Sequence, residues 1–329
     1  METNVSRLGQ GPGLAWKRNT SSFPPGSLAE LQEWTGGKTE PVGPSWPDDL
    51  VFTQWNTIGW AITDDGVLCI KPWKGSAGET GPATFDDDVP WHDQASKIRK
   101  IESTGTISLN EDSQNLFYDC SSLTDMTGLA GWDVSNVTDM SFMFSYCSSL
   151  TDLTALKGWN VSNVTDMHIM FGGCSDLTDL TGLKDWNVSS VTDMGSMFYD
   201  CSSLTNLTPL ANWNVSNVTN MESMFSGCSS LTDLTAIKNW NVSNVMEMRD
   251  MFYYCSSIQK IGIPSIANGG RKLVENAEDA YLTTVLPSIV SVYGSIGPYT
   301  WDELKSEMTT RPNAFRSGTV WVRANEEAE

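Results

Sequence analysis

The sequence predicts a repeat solenoid: a leucine-rich-repeat-like, right-handed coil with a parallel β-sheet and short helical turns, mainly β with minor α, capped at both ends. Three columns of residues predict it. Cysteines fall at 120, 147, 174, 201, 228 and 255, each 27 residues from the last. Phenylalanines at 117, 144, 171, 198, 225 and 252 keep the same step, and so do tryptophans at 132, 159, 186, 213 and 240. A fixed period of this length marks stacked units, none of which buries its apolar face alone.

From the N-terminus, residues 1–45 are rich in Gly, Pro, Ser and Thr, and their apolar residues are scattered. Such an arm is expected to be mobile by itself and to dock on other subunits of an assembly. Residues 46–111 read as an N-terminal β cap, which covers the apolar side chains and sheet edge that an open solenoid end would expose. Within it, residues 58–70 read as a hairpin around Asp64-Asp65-Gly66, and residues 98–109 lead the chain into the first coil.

Residues 112–258 hold the repeats. One unit runs through Phe144, Cys147, Leu150, Leu153, Leu156, Trp159, Val161, Val164, Met167 and Met170. Apolar residues recur mostly every third position. That is neither the 3.6 of an amphipathic helix nor the 2.0 of a half-buried strand. It suits a chain that turns continually around a narrow core. Two extended pieces are expected in each unit, at residues 150–154 and 161–167 of this one, with a short helical turn near 170–174. Parallel stacking at roughly 4.8 Å per coil gives a solenoid about 25 Å long. Residues 259–329 read as a C-terminal α/β cap. A helix is expected over 275–286. A second follows over 301–308, with Thr300 as N-cap and Glu303 at the capping-box position. A closing strand is expected over 318–322.

The string MFxxCSSLTDLTxLxxWNVSNVTDMxxMF resembles the BspA-like leucine-rich repeat family in its DUF285 variant. Trp60-Ala-Ile-Thr-Asp-Asp-Gly-Val-Leu-Cys-Ile70, Pro90-Trp91 and Ile98-Arg-Lys-Ile101 are similar to the segment that precedes these repeats in that family. The resemblance covers roughly residues 50 to 260. It implies a protein of bacterial surfaces that adheres to host or neighbouring cells, or a tail or other virion component of a phage.

The inward columns are expected to be core. Cysteines 27 residues apart, with His92 and His168 the only histidines, lack metal-site spacing and read as buried thiols. The repeated Asn-Val-Ser and Asn-Val-Thr strings, as at Asn160, Asn163 and Asn187, read as corner asparagines that hydrogen-bond from coil to coil, not as glycosylation sites. Outward candidates follow from the Leu-x-x-Leu-x pattern, whose third and fifth positions face away from the sheet. These are Asp125, Asp152, Asp179, Asn206 and Asp233, beside Thr127, Thr154, Thr181, Thr208 and Thr235. A second acidic column is Asp139, Asp166, Asp193, Asn220 and Glu247. Like charges at 4.8 Å repel by roughly 0.9 kcal/mol in water, which the fold tolerates without a metal. Ca2+ between the Asp rungs would relieve that repulsion through oxygen ligands. His168 sits at a variable repeat position, matched by Ser141, Gly195, Glu222 and Arg249, and reads as a specificity candidate.

No catalytic residues are expected, since neither a unique carboxylate pair nor a nucleophile with an adjacent imidazole stands out. The chain has 40 acidic and 20 basic side chains and a formal charge of −20, which argues against nucleic acid and anionic lipid as partners. No apolar run is long enough to cross a membrane, and residues 1–30 carry no apolar signal-peptide core, so neither membrane insertion nor a secretory signal is expected. The expected partners are a protein or glycan on a cell surface, met from the outer face of a virion or, alternatively, of a bacterial cell.

Overall fold

The computed structural model describes residues 44–84, 89–286, 289–291, 299–310 and 319–323, together with the backbone of two short strands near the N-terminus. Those two, β1 (Ser6–Leu8) and β2 (Ala15–Lys17), pair antiparallel within a unit that comprises residues 1–45. The expected mobility of the rest of that arm lies outside the described residues. A second unit begins at Trp46.

That second unit opens with β3 (Thr53–Trp55), β4 (Ile58–Ile62) and β5 (Val67–Pro72), successive antiparallel neighbours. The expected hairpin is the β4–β5 pair. Its turn closes where the Gly66 N–H donates to the Thr63 carbonyl at 2.9 Å, with Gly66 at φ 84°. Two further strands, β6 (Ala77–Glu79) and β7 (Lys100–Ser103), precede β8 (Thr106–Ser108). Here the sheet turns parallel: β7 lies along β5, and β8 along β6. The switch sets the direction of everything after it, since Lys100 bridges Asp125 and Ser108 bridges Asp133 in parallel. Trp91 closes the core at this end. Its ring stacks on Phe117 at 6.1 Å, and its Nε1 donates to the Leu116 carbonyl at 2.9 Å.

The repeats stack in parallel register with a step of 27. Asp112, Asp139, Asp166, Asp193, Asn220 and Glu247 form one continuous series of parallel bridges. The Phe rings at 117, 144, 171, 198, 225 and 252 stack at 5.3, 5.7, 5.7, 5.7 and 6.0 Å. These centroid distances exceed the 4.8 Å of a strand ladder, as offset stacking of rings allows, while backbone hydrogen bonds such as Phe144 N–H to the Met170 carbonyl at 2.9 Å join the same coils. The indole of each Trp from 159 to 240 donates to a Leu carbonyl 30 residues earlier, as from Trp159 to Leu129 at 3.2 Å. Each column thus has a polar anchor as well as a packed face, as buried donors require.

Two expectations about the repeat change. The extended pieces are single bridges rather than strands; only β9 (Asp233–Leu234), at the last repeat, reaches two residues. The helical turn is not at 170–174. It is a 3-10 turn at Thr154–Leu156 and its equivalents, such as Thr181–Leu183. Residues 167–174 form successive tight turns instead. Their backbone alternates between left-handed and ordinary φ, with Ile169 at 54° and Gly173 at 76°. The hydrogen bonds alternate with it. The Met140, Phe142, Phe144 and Tyr146 N–H groups donate to the next coil, at Asp166, His168, Met170 and Gly172. Met143, Ser145 and Cys147 donate three residues back in their own coil. The N–H groups over this segment therefore find acceptors without a strand or a helix.

The C-terminal end adds β10 (Lys260–Ile263), parallel to β9, then α1 (Gly270–Glu275), α2 (Leu282–Val285), β11 (Ile289–Ser291), α3 (Trp301–Thr310) and β12 (Thr319–Arg323). The helix expected over 275–286 is displaced and divided. Gly269, at φ 83°, supplies the left-handed turn that starts α1, and a turn with Tyr281 at φ 63° separates α1 from α2. The capping box on α3 is present: Thr300 N–H donates to Glu303 Oε2 at 2.8 Å, and Glu303 N–H to Thr300 Oγ1 at 3.3 Å. The closing strand is β12, which pairs antiparallel with β10 and β11.

Candidate recognition surface

The first predicted row is a row of turns. In each repeat the acidic or amide side chain accepts the N–H of the Thr two residues later. The distances are 2.9 Å from Thr127 to Asp125, 3.0 Å from Thr154 to Asp152, and 2.8 Å for Thr181, Thr208 and Thr235 to Asp179, Asn206 and Asp233. Thr127 Oγ1 also donates to Asp125, and Thr154 Oγ1 to Asp152. These Asx turns open the 3-10 segments that follow, so the residues do not form the flat strand face that was expected. The hydroxyl side remains at the surface: Thr127, Thr154, Thr181 and Thr208 are exposed, while Asp125, Asp152, Asp179 and Asp233 are half-buried.

Lysines close both ends of this row. Lys100 Nζ lies 3.5 Å from Asp125 Oδ2, and Lys260 Nζ lies 2.7 Å from Asp233 Oδ2. Burial works to raise the Asp125 and Asp233 carboxyls. For Asp125 the Thr127 bonds and Lys100 outweigh it; for Asp233 Lys260 and the Thr235 bonds do. Both settle below the usual carboxylate value. The middle rungs, Asp152/Thr154, Asp179/Thr181 and Asn206/Thr208, lie between these neutralised ends.

The second acidic column carries the bridge series itself. Asp139, Asp166, Asp193 and Asn220 each accept an N–H two residues on, at 2.7 to 2.9 Å. Asn220 Nδ2 also donates to both oxygens of Asp193, at 3.1 and 3.0 Å. An amide in this column therefore binds the acid of the preceding rung, which gives the switch from Asp to Asn a structural use. His168 leans over Gly195 toward Asp193. Its Nδ1 is 3.7 Å from Asp193 Oδ1, and that buried nitrogen has no hydrogen-bond partner. The Asp193 carboxylate raises the His168 pKa. Asp193 itself is lowered; burial opposes this, but His168, the Gly195 N–H and Asn220 prevail. Burial, with Asp139 and Asp193 nearby, raises Asp166. The variable position beside this column also pairs Arg249 with Glu222, Nη2 to Oε1 at 2.6 Å. Among the described residues no three or more His, Cys, Asp or Glu side chains converge as a metal site.

Of the asparagines named from the sequence, Asn163 bonds from coil to coil, while Asn160 and Asn187 instead accept the Ser162 and Ser189 N–H groups of their own coil at 3.3 Å. Nδ2 of Asn163, Asn217 and Asn244 donates at 2.7 Å to the Ser135, Ser189 and Ser216 carbonyls of the preceding coil. At the N-terminal end this corner forms an open cleft of about 610 Å³ lined by Glu79, Asn110, Glu111, Asn136, Thr138 and Asn163. Sequence reading missed it because β6 and three coils meet there. The thiols are core: all seven cysteines are buried and unpaired, and Cys147 Sγ donates to the Phe117 carbonyl. Burial pushes Cys174 up to about 12, which keeps it a thiol.

Sequence reading also missed the edge between Phe and Cys. Its first column is Tyr118, Ser145, Gly172, Tyr199, Ser226, Tyr253, and its second is Asp119, Tyr146, Gly173, Asp200, Gly227, Tyr254. The second column is left-handed throughout, with φ from 54° to 80°. Tyrosine placed beside a strictly kept cysteine was the available signal. Tyr146, Tyr199 and Tyr254 are 47%, 37% and 68% exposed.

Residues 111–230 and 179–266 match the family described as Mycoplasma protein of unknown function, DUF285. The upstream stretch at 50–110 lies outside that match. Among solved structures the chain is similar to a leucine-rich repeat protein from Bacteroides ovatus, at 16% identity over 65% of this chain and 70% of that one, with a TM-score of 0.24. It is also similar to one from Eubacterium ventriosum, at 14% identity over 65% and 92%, with a TM-score of 0.20. A third is a leucine rich cell surface protein from Faecalibacterium prausnitzii, at 14% identity over 65% and 82%, with a TM-score of 0.18. No protein of curated function matches the chain.

Proposed function

Residues 111–266 make this chain a member of the BspA-like leucine-rich repeat family, DUF285 type, and from that premise we propose a non-catalytic surface recognition and attachment protein, a right-handed solenoid in form. The observation that carries this is the exposed threonine row. Its backbone is fixed rung by rung by Asx turns, so the hydroxyls at 154, 181 and 208 stand in a preset array. A preset array loses little conformational entropy on binding.

The setting we propose is the outer face of a phage particle, with residues 1–45 as the attachment to other subunits. The separate unit formed by those residues supports this division of labour. A bacterial cell-surface adhesin is the alternative, and the neighbouring genes decide between them: tail or capsid genes beside this one favour the virion.

The recognition reading is tested with the fluorescent full chain on a panel of bacterial and epithelial cells. Saturable labelling of at least one surface is expected. The triple variant Thr154→Lys, Thr181→Lys, Thr208→Lys, which leaves the core untouched, is expected to lower it at least tenfold. No labelling beyond that of a charge-matched control protein on any surface sinks the reading.

A further inference from the structure

The tyrosine edge is not required by the fold. At that turn the core takes Phe, Cys and Met, all buried in every repeat. The two positions between Phe and Cys vary, and serine or glycine fills them in other coils. Tyr146, Tyr199 and Tyr254 leave large rings partly in water, and Tyr118 is half-buried beside them, which points outward for their use.

The rings are arranged, not scattered. Tyr118 and Tyr146 meet edge to face at 5.7 Å. Tyr146 lies along Gly173, where a Cβ would come within 2.6 Å of its ring. Gly172 and Gly173 carry no side chains, so one coil of bare backbone separates Tyr146 from Tyr199. Carboxylates alternate with the rings: Asp119 follows Tyr118, and Asp200 follows Tyr199. No lysine or arginine occupies either column.

We propose that this edge binds a linear, uncharged, β-linked glycan lying along the stack, with sugar faces on Tyr118, Tyr146 and Tyr199 and sugar hydroxyls donating to Asp119 and Asp200. This rests on the recognition reading and goes beyond it by adding a second site, apart from the threonine row, with its own ligand class. Flat rings with a polar tip suit the C–H face of a pyranose, and carboxylates are strong acceptors for its hydroxyls. Tyr118 and Tyr146 stand on adjacent coils and Tyr199 two coils further on, so the rings are spread along the direction of stacking. A chain of several sugar units lying in that direction would reach all three rings, passing over the bare backbone of Gly172 and Gly173. Acidic glycans are disfavoured by the carboxylates and by the net charge of −20.

The test is titration calorimetry of the full chain with cellohexaose and with chitohexaose. Saturable binding of at least one is expected. Tyr146→Ala and Tyr199→Ala are each expected to weaken it at least tenfold with the unfolding temperature unchanged, while Tyr146→Phe keeps most of the affinity. Binding of neither hexasaccharide overturns the proposal, and so does binding that both alanine variants leave intact. Cell labelling separates this result from the broader reading. Labelling kept by the Tyr146→Ala, Tyr199→Ala double variant but lost in the threonine variant overturns the glycan edge and leaves surface recognition standing. Labelling lost in the tyrosine variants without affinity for either sugar points to a protein ligand and likewise overturns the glycan assignment.

Discussion

His168 is the one imidazole in its column, whose other members are Ser141, Gly195, Glu222 and Arg249. It lies between Asp166 and Asp193, with its buried Nδ1 facing Asp193. Its pKa is raised in the folded chain, so protonation and folding favour each other. The stability it contributes is fully present below the ordinary histidine value of 6.5 and is lost as pH rises through the folded value. Asp193 is lowered, so its contribution is present above the ordinary 3.8 and is lost as pH falls through its folded value. Asp166 is raised, which makes its ionisation a cost to the fold above 3.8. Of the three, His168 is the one whose ordinary value lies near neutrality. The thermal midpoint is therefore expected to fall as pH rises above 6.5. His168→Gln should flatten that slope while keeping the column intact. Calorimetry across pH 6 to 9 checks it; an equal slope in the variant places the ionisation elsewhere.

At the scale of the repeat, the inward columns were legible and the backbone between them was not. Phe144, Cys147, Leu150 and Trp159 recur at a strict step because each packs on its own copy in the next coil, and that constraint is written directly in the sequence. Apolar residues at every third position, however, fit an extended coil and a run of tight turns equally well. The Thr154–Leu156 turn and the left-handed residues near Cys could not be told apart from strand by spacing. Glycine at 173 and 227 marked one left-handed column, but Tyr146, Asp119 and Asp200 hold the same conformation and hid it. The cleft and the tyrosine edge depend on contacts between coils, which no single repeat displays. Ile169 shows what the hidden backbone costs. It is β-branched and sits at φ 54°, where an L residue loses about 1–2 kcal/mol. Asparagine tolerates that region, so Ile169→Asn is expected to stabilise the chain by about 1 kcal/mol after some loss of packing. Ile169→Val, still β-branched, should gain nothing. Denaturant unfolding of both variants distinguishes strain relief from a surface effect; equal midpoints would mean that the turn carries no strain to relieve.

For the whole molecule, stability is a sum over coils and the faces between them, closed by Trp91 at one end and by β10 with β12 at the other. Nothing in such a stack fixes the number of coils, but everything in it fixes their phase. Removing residues 161–187 deletes one period of 27 and joins Asn160 to Val188, which restores the Asn-Val junction of every repeat. Phe144 then stacks on Phe198, and the bridge series passes from Asp139 to Asp193. This deletion is expected to fold, to unfold in one cooperative transition, and to melt somewhat below the parent because one interface is gone. Removing residues 161–186 takes out only one residue fewer but shifts every later column by one position. Core positions would then face polar residues of the next coil, and buried backbone groups would lose their acceptors. That chain should lose the cooperative transition. Circular dichroism and calorimetry of the two deletions settle the matter, because similar melting in both would mean that the columns do not hold the stack in phase. The in-phase deletion also removes Gly172 and Gly173, bringing Tyr146 and Tyr199 onto adjacent coils. A glycan bound along the stack should keep its affinity for this shortened edge, since both rings and Asp200 remain.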